Sequence, residues 1–87
     1  MNTRIEQMHQ RLAVLVPIEI EIIDESHLHA GHAGARSGRG HYALRIRSTM
    51  FEGKNPIQRH RMVYEALGEM MQTDIHALSI KALAPGD

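Results

Sequence analysis

The sequence contains no cysteine. Disulfide bonds are therefore excluded, and so is a thiolate that could act as a nucleophile or as a metal ligand. Imidazole and carboxylate groups remain available as ligands. A soft metal ion or cluster bound to this chain would have to take its sulfur ligands from a partner.

A net charge is also absent, because ten Lys and Arg residues balance ten Asp and Glu residues. The chain therefore lacks the global basic field that drives nonspecific attraction to nucleic acid. Any nucleic-acid role would depend on a local basic patch. The seven histidines can add positive charge only at mildly acidic pH.

Long apolar runs are missing as well, and none approaches the ~18 residues that a membrane-spanning helix needs. The polar start of the sequence does not fit a secretory signal, so we expect a cytoplasmic protein without a membrane role. The chain has 87 residues, and residues 1–87 are predicted to form one domain. We expect this domain to be monomeric when it is alone. Such a small core leaves little room for a large active-site cavity, which favours a binding module over an enzyme.

Hydrophobic periodicity predicts a first helix followed by two strands. Thr3 and Glu6 fit a capping box at the start of the helix. Apolar residues then recur at helical spacing, at Ile5, Met8, Leu12 and Leu15. Pro17 ends this pattern. The segments PIEIEIID and HYALRIR then alternate with period two. Their predicted buried residues are Ile18, Ile20 and Ile22 in the first strand, and Tyr42, Leu44 and Ile46 in the second. Antiparallel pairing would place their outward glutamates and arginines opposite one another.

A second helix and a third strand complete the pattern. Asn55, Pro56 and Gln58 mark the start of the helix. Its core side is predicted to comprise Ile57, His60, Val63, Tyr64, Leu67, Met70 and Met71. IHALSIKAL follows as a strand that a right-handed crossover makes parallel to the second, and APGD follows as a polar tail. The predicted fold is α+β, in the order α-β-β-α-β, with a three-stranded mixed sheet and helices on one face.

Four of the seven histidines lie in or beside the predicted connection between the first two strands: His27, His29, His32 and His41. The first three could together hold zinc or nickel, since imidazole suits both ions. Their spacing does not match a closed zinc site, so we expect only adventitious binding. Ser26 stands beside His27 and two carboxylates, but neighbours on an extended chain point in opposite directions. We therefore expect no catalysis.

Three segments, DESHLHAGH, GHYALRIRSTMFEGKNPIQRHRMVYEALGEMM and IHALSIKALAP, resemble the BolA family. The resemblance runs from about Ile5 to Pro85 and implies a fold like the type II KH domain. It also implies a monothiol glutaredoxin partner in a heterodimer that shares a bridged 2Fe-2S cluster, in iron-sulfur cluster trafficking or in iron and stress regulation. The partner and its glutathione would supply the thiolates, and this chain alone would not hold the cluster stably.

The resemblance assigns the ligand role in this chain to His76 and, from the hairpin connection, to His32, with His41 as the rival of His32. Imidazole is chemically suitable, because it replaces thiolate on one iron of a 2Fe-2S cluster in Rieske centres and raises the reduction potential. A chain without cysteine can therefore still contribute cluster ligands.

A DNA-binding transcriptional regulator is the alternative function, and members of the family have been regarded as such. Lys54, Arg59 and Arg61 lie near the start of the second helix, where unpaired N–H groups favour phosphate. Arg36 and Arg39 would be auxiliary phosphate contacts. RNA binding of the KH type does not follow, because a KH domain uses a GxxG loop between two helices. The GxxG motif here, Gly31 to Gly34, lies in the hairpin connection instead.

Overall fold

The computed structural model describes residues 3–26 and 40–87. Its helices and strands are α1 (Arg4–Leu12), β1 (Glu19–Asp24), β2 (Gly40–Arg47), α2 (Pro56–Leu67), α3 (Met70–Thr73) and β3 (Ile75–Leu83). The sheet has the order β1-β2-β3, with β1 antiparallel and β3 parallel to the central strand. The predicted α+β fold with a mixed three-stranded sheet is confirmed.

Helix α1 begins at the predicted N-cap, where the Thr3 hydroxyl accepts a hydrogen bond from the Glu6 N–H at 3.1 Å. The Glu6 carboxylate bonds to that hydroxyl at 3.4 Å, which differs from the backbone contact of a full capping box. The chain leaves the helix through a 3-10 turn at Ala13–Leu15 and a left-handed Val16, with φ of 49°. A left-handed β-branched residue is strained, so this exit from the helix depends on the surrounding packing.

The sheet buries Tyr42, Leu44 and Ile46 of β2, as the alternation predicts. On β1, Ile20 and Ile22 pack against the core, whereas Ile18 is 58% exposed and its predicted burial is wrong. Ile18 lies before the first residue of β1. The position where the strand pairing begins therefore decides how far the buried face extends.

The predicted attraction between outward glutamates and arginines is confirmed at one glutamate. Glu19 lies opposite Arg47 and forms ion pairs with Arg45 at 3.1 Å and with Arg47 at 3.5 Å. All three side chains lie on the sheet face opposite the buried one. This face of the sheet is therefore charged.

The predicted core side of α2 is partly wrong. Val63 and Leu67 are buried, but Ile57 and Tyr64 are 70% and 42% exposed. Met62 and Ala66 pack against the core in their place. The buried stripe is rotated around the helix relative to the predicted one, because apolar residues occur on more than one side of α2 and periodicity could not choose between them.

The predicted long second helix is interrupted at Gly68. Its φ of 56° is left-handed, and its N–H bonds to the Tyr64 carbonyl at 2.9 Å, so α2 ends there. From α1, Arg11 donates to the Leu67 carbonyl at 3.2 Å, and a Cβ on Gly68 would lie 3.2 Å from that guanidinium. Met70, predicted in the same helix, is buried in the separate short helix α3 instead.

Ser48 connects three parts of the fold and is completely buried. Its hydroxyl donates to the Leu15 carbonyl after α1 and accepts from the Met50 N–H at 3.1 Å. Its backbone N–H bonds to the Leu83 carbonyl of β3 at 2.9 Å. One side chain therefore joins the end of β2 to the exit from α1.

We predict that Ser48→Ala lowers the free energy of unfolding by about 1–3 kcal/mol, because buried backbone groups lose their hydrogen-bond partner. Urea denaturation measures the change. Thr49→Ala, at the exposed neighbouring position, is the control and should change stability little. Equal unfolding midpoints for the two variants would contradict this role of Ser48.

Candidate metal-ligand site

A β-bulge in the parallel pair of strands sets the direction of His76. Gly40 pairs with Ile75, but the next residue, His41, pairs with Ala77, so His76 is the extra residue on β3. Ile75 is buried and points to the core, whereas His76 and Ala77 are both exposed. Bulges commonly redirect a side chain in this way. The bulge therefore presents the His76 imidazole at the outer side of the sheet.

The two histidines of these strands lie together. The ring centroids of His41 and His76 are 5.0 Å apart, with the ring planes tilted by 52°. His41 is only 8% exposed, while His76 is exposed. One imidazole is thus held within the fold, and the other is open to solvent.

Hydrogen bonds at His41 hold together the two ends of the hairpin connection. Its carbonyl accepts from the Glu25 N–H at 2.8 Å, and its N–H donates to the Ser26 hydroxyl oxygen at 3.0 Å. The Ser26 N–H in turn bonds to the Asp24 carboxylate at 2.9 Å. Asp24 and Ser26 therefore bind backbone N–H groups, which is a structural role for the residues that the catalytic hypothesis considered.

The starts of β2 and β3 are joined through Asp74. Its carbonyl accepts from the Gly40 N–H at 2.9 Å, directly before His41. Its carboxylate lies 3.4 Å from the Arg4 guanidinium of α1. Both histidines therefore follow residues that the fold fixes in place.

An open cleft of about 360 Å³ adjoins this pair of histidines. It is lined by Glu25, His41, Tyr42, Ala77, Leu78 and Ser79. The cleft combines one carboxylate, one imidazole and apolar surface.

The pair of imidazoles is not by itself a complete metal site. Within residues 3–26 and 40–87, no group of three or more His, Asp or Glu residues could hold a metal ion. Further ligands would have to come from the hairpin connection or from a partner.

Several predicted site residues lie outside the described part of the chain: His27, His29, His32, Arg36 and Arg39. Their assignments stay predictions. Of the other predicted basic residues, Lys54 and Arg61 are exposed. Only Arg59 is largely withdrawn from solvent, with a side chain 16% exposed.

Arg59 is held by contacts within the chain. Its Nε donates to the Lys54 carbonyl at 2.9 Å, and its Nη1 donates to the Ala82 carbonyl of β3 at 3.0 Å. The same Nη1 forms an ion pair with the Asp87 carboxylate. The guanidinium of Arg59 is therefore not an ordinary solvated charge.

The segment Ala84–Asp87, predicted as a polar tail, is an ordered turn. Asp87 accepts from the Ala84 N–H at 2.9 Å, and Arg47 donates to the carbonyls of Ala84 and Asp87, both at 2.9 Å. The Ala84 N–H, followed by the Arg59 guanidinium, holds the pKa of the Asp87 carboxyl below its ordinary value. These contacts join distant segments, so neither Arg47 nor Asp87 could be recognised from local sequence patterns.

Known proteins resemble this chain in sequence and in fold. A sequence model of the family described as "BolA-like protein" matches residues 12–87. The chain belongs to the BolA family. Among solved structures, BolA1 from Arabidopsis thaliana has a TM-score of 0.84 and 36% identity, and the match covers 100% of this chain and 98% of that one.

Two curated relatives of this chain have names that describe a protein type or a role. SufE-like protein 1, chloroplastic/mitochondrial, from Arabidopsis thaliana is 42% identical over 78 residues, which cover 84% of this chain and 21% of the relative. The DNA-binding transcriptional regulator BolA of Escherichia coli strain K12 is 36% identical over 76 residues, which cover 86% of this chain and 70% of the relative. The chain spans about half the length of two further curated relatives.

The Escherichia coli relative is named as a regulator, and a Mus musculus relative is named as a BolA-like protein. No helix in residues 3–26 or 40–87 has the length and apolar character to cross a membrane. The name of SufE-like protein 1 assigns that protein to chloroplasts and mitochondria. A cytoplasmic location for this chain therefore stays a prediction.

Gly40 provides a test of how the site is built. A Cβ at this position would lie 2.5 Å from Cε2 and 2.6 Å from the hydroxyl oxygen of Tyr42, whose ring covers the glycine. We predict that Gly40→Ala displaces this ring, lowers the free energy of unfolding by about 1–3 kcal/mol, and shifts the imidazole NMR signals of the adjacent His41.

Gly86→Ala is the matched control, because a Cβ at Gly86 meets no atom within 4 Å. Unfolding midpoints in urea and two-dimensional NMR spectra measure the two effects. A Gly40→Ala variant with the stability and imidazole signals of the unmodified protein would contradict the packing of Tyr42 over Gly40.

Proposed function

We propose that this BolA protein binds a monothiol glutaredoxin and shares a 2Fe-2S cluster with it, in iron-sulfur cluster trafficking or in iron and stress regulation. The observation that carries the proposal is the pair formed by the exposed His76 and the buried His41. When bound, the cluster supplies iron centres that can be transferred or oxidised and reduced. The chain contributes imidazole ligands and the surface that positions them.

His76 has the properties of a preorganised ligand. It lies in a strand, at a bulge that turns it outward, and its ring contacts another ring 5.0 Å away. Ligands on rigid strands need little reordering when a metal arrives. Outer contacts that fix the orientation of a ligating imidazole commonly strengthen metal binding.

The second ligand role is assigned to His32 and the orienting role to His41. A ligand shared with a partner must present a nitrogen at the surface, and His41 is only 8% exposed. His32 belongs to the connection whose two ends are held together at His41, between Ser26 and Gly40. In this proposal His41 supports His76, and the connection brings the other imidazole.

The partner supplies what this chain lacks. A chain without cysteine can provide no thiolate, so glutaredoxin and its bound glutathione would ligate the other iron. The described residues likewise include no complete metal site. In this proposal the heterodimer holds the cluster.

The test is an anaerobic titration of the chain into a cluster-loaded monothiol glutaredoxin, followed by visible circular dichroism. We predict a new spectrum, which His76→Ala abolishes because an iron loses its imidazole. His32→Ala should also abolish it. His41→Ala should leave a spectrum with altered band positions, because His76 keeps its ligand role but loses its supporting ring.

His9→Ala is the matched control, since His9 is an exposed histidine on α1. It should reproduce the unmodified spectrum. An unmodified chain that leaves the glutaredoxin spectrum unchanged would contradict cluster sharing. Loss of the spectrum in His41→Ala together with retention in His32→Ala would exchange the roles of those two histidines.

DNA binding is a second candidate function, favoured by the name of the Escherichia coli relative. The capping box already occupies part of the start of α2, because Asn55 and Gln58 satisfy each other's backbone N–H groups at 2.8 and 2.9 Å. Phosphate binding there would therefore depend on the exposed charges of Lys54 and Arg61. Arg36 and Arg39 remain predicted auxiliary contacts.

For this function, we predict that Lys54→Ala and Arg61→Ala each weaken binding to a labelled DNA duplex. Each should also flatten the slope of log K against log salt by about 0.9, since one phosphate contact is lost. Fluorescence anisotropy at several salt concentrations measures both quantities. Arg45→Ala, on the sheet face, is the control, and equal effects of all three variants would contradict a specific site at α2.

A further inference from the structure

We propose that Asp87 occupies a phosphate-binding position at Arg59, so that the turn Ala84–Asp87 acts as a latch that competes with the DNA backbone. This inference rests on the second candidate function. It concerns Arg59, which the sequence places among the phosphate contacts and the structure shows bound to a carboxylate. A phosphate oxygen makes the same kind of charge-assisted hydrogen bond to a guanidinium.

The latch is defined by contacts from two arginines. Arg59 binds the Asp87 carboxylate, and Arg47 donates to the Ala84 and Asp87 carbonyls. The carboxylate closes the turn by accepting from the Ala84 N–H. The turn therefore lies between a guanidinium from α2 and one from β2.

The Asp87 contact differs from the other contacts of Arg59 because its acceptor is charged. The other two acceptors of this guanidinium, the Lys54 and Ala82 carbonyls, are neutral. They hold the side chain in place, while Asp87 is the described acceptor that balances its charge. If the carboxylate leaves, Arg59 remains positioned and presents a positive charge close to Lys54.

The carboxylate is exchangeable because it is exposed. Its side chain is 41% exposed, whereas that of Arg59 is 16% exposed. An exposed ion pair is weakened by water and salt, so a polyanion can compete with it. The fixed partner is thus the cation, and the replaceable partner is the anion, as expected for a phosphate site closed by the chain's own carboxylate.

The test compares the unmodified chain with Asp87→Asn by anisotropy of a labelled DNA duplex between about 50 and 200 mM salt. Asparagine can still accept from the Ala84 N–H but carries no charge. We expect roughly threefold tighter binding at low salt and a slope of log K against log salt steeper by about 0.9, since Arg59 gains one phosphate. Glu6→Gln, which changes the net charge equally on α1, is the control and should leave the slope unchanged.

NMR of the Arg59 Nε–H signal gives a second readout. DNA should shift this signal in Asp87→Asn but not in the unmodified chain, and Arg59→Gln added to Asp87→Asn should remove the gain in affinity. If Asp87→Asn binds DNA and the unmodified chain does not, the latch is supported and the unmodified chain is closed to DNA. Unmodified and Asp87→Asn chains that bind equally, or that both fail to bind, would overturn the latch; equal binding would leave the DNA function standing.

Discussion

The pairing of β2 with β3 is the constraint on which the candidate site depends. A register without the bulge would place His76 opposite His41 in the ladder and shift the face of each following residue of β3. The extra residue instead allows Ile75 and Leu78 to keep their places toward the core while His76 turns outward. One irregularity therefore satisfies both core packing and site geometry. At one end of the paired strands the Asp74 carbonyl accepts from the Gly40 N–H, and at the other end the Ser48 N–H donates to the Leu83 carbonyl.

Charged residues likewise connect several parts of the fold. Glu19 binds arginines across the open face of the sheet, while Arg59 and Arg47 hold the turn after β3. The chain therefore contains local groups of positive charge although its net charge is zero. The availability of these groups depends on carboxylates within the chain. Metal binding and phosphate binding are assigned to separate surfaces, one at the bulge in β3 and one at the start of α2, so a single small domain could support both.

Much of the fold could be predicted because local patterns determine it. Alternation in HYALRIR marks a strand with one buried face, and Asn55 with Pro56 and Gln58 marks a helix start. The buried side of α2 could not be predicted, since Ile57 and Tyr64 place apolar surface on a side of the helix that the core does not cover. The bulge at His76, the contact with His41 and the latch at Asp87 also depend on long-range register and on contacts between distant segments. The resemblance to BolA proteins could identify His76 as a candidate, but only the fold shows the ring that supports it.

Cluster ligation by this chain can be tested by pulsed electron paramagnetic resonance of the reduced complex with glutaredoxin, in which only this chain carries histidine labelled with nitrogen-15. We expect couplings from two labelled imidazoles to the cluster, and we expect both to disappear when His76 is replaced by alanine, because the shared cluster is then lost. A reduced cluster that shows no coupling to the labelled histidines would contradict ligation by this chain, because every ligand would then come from the partner.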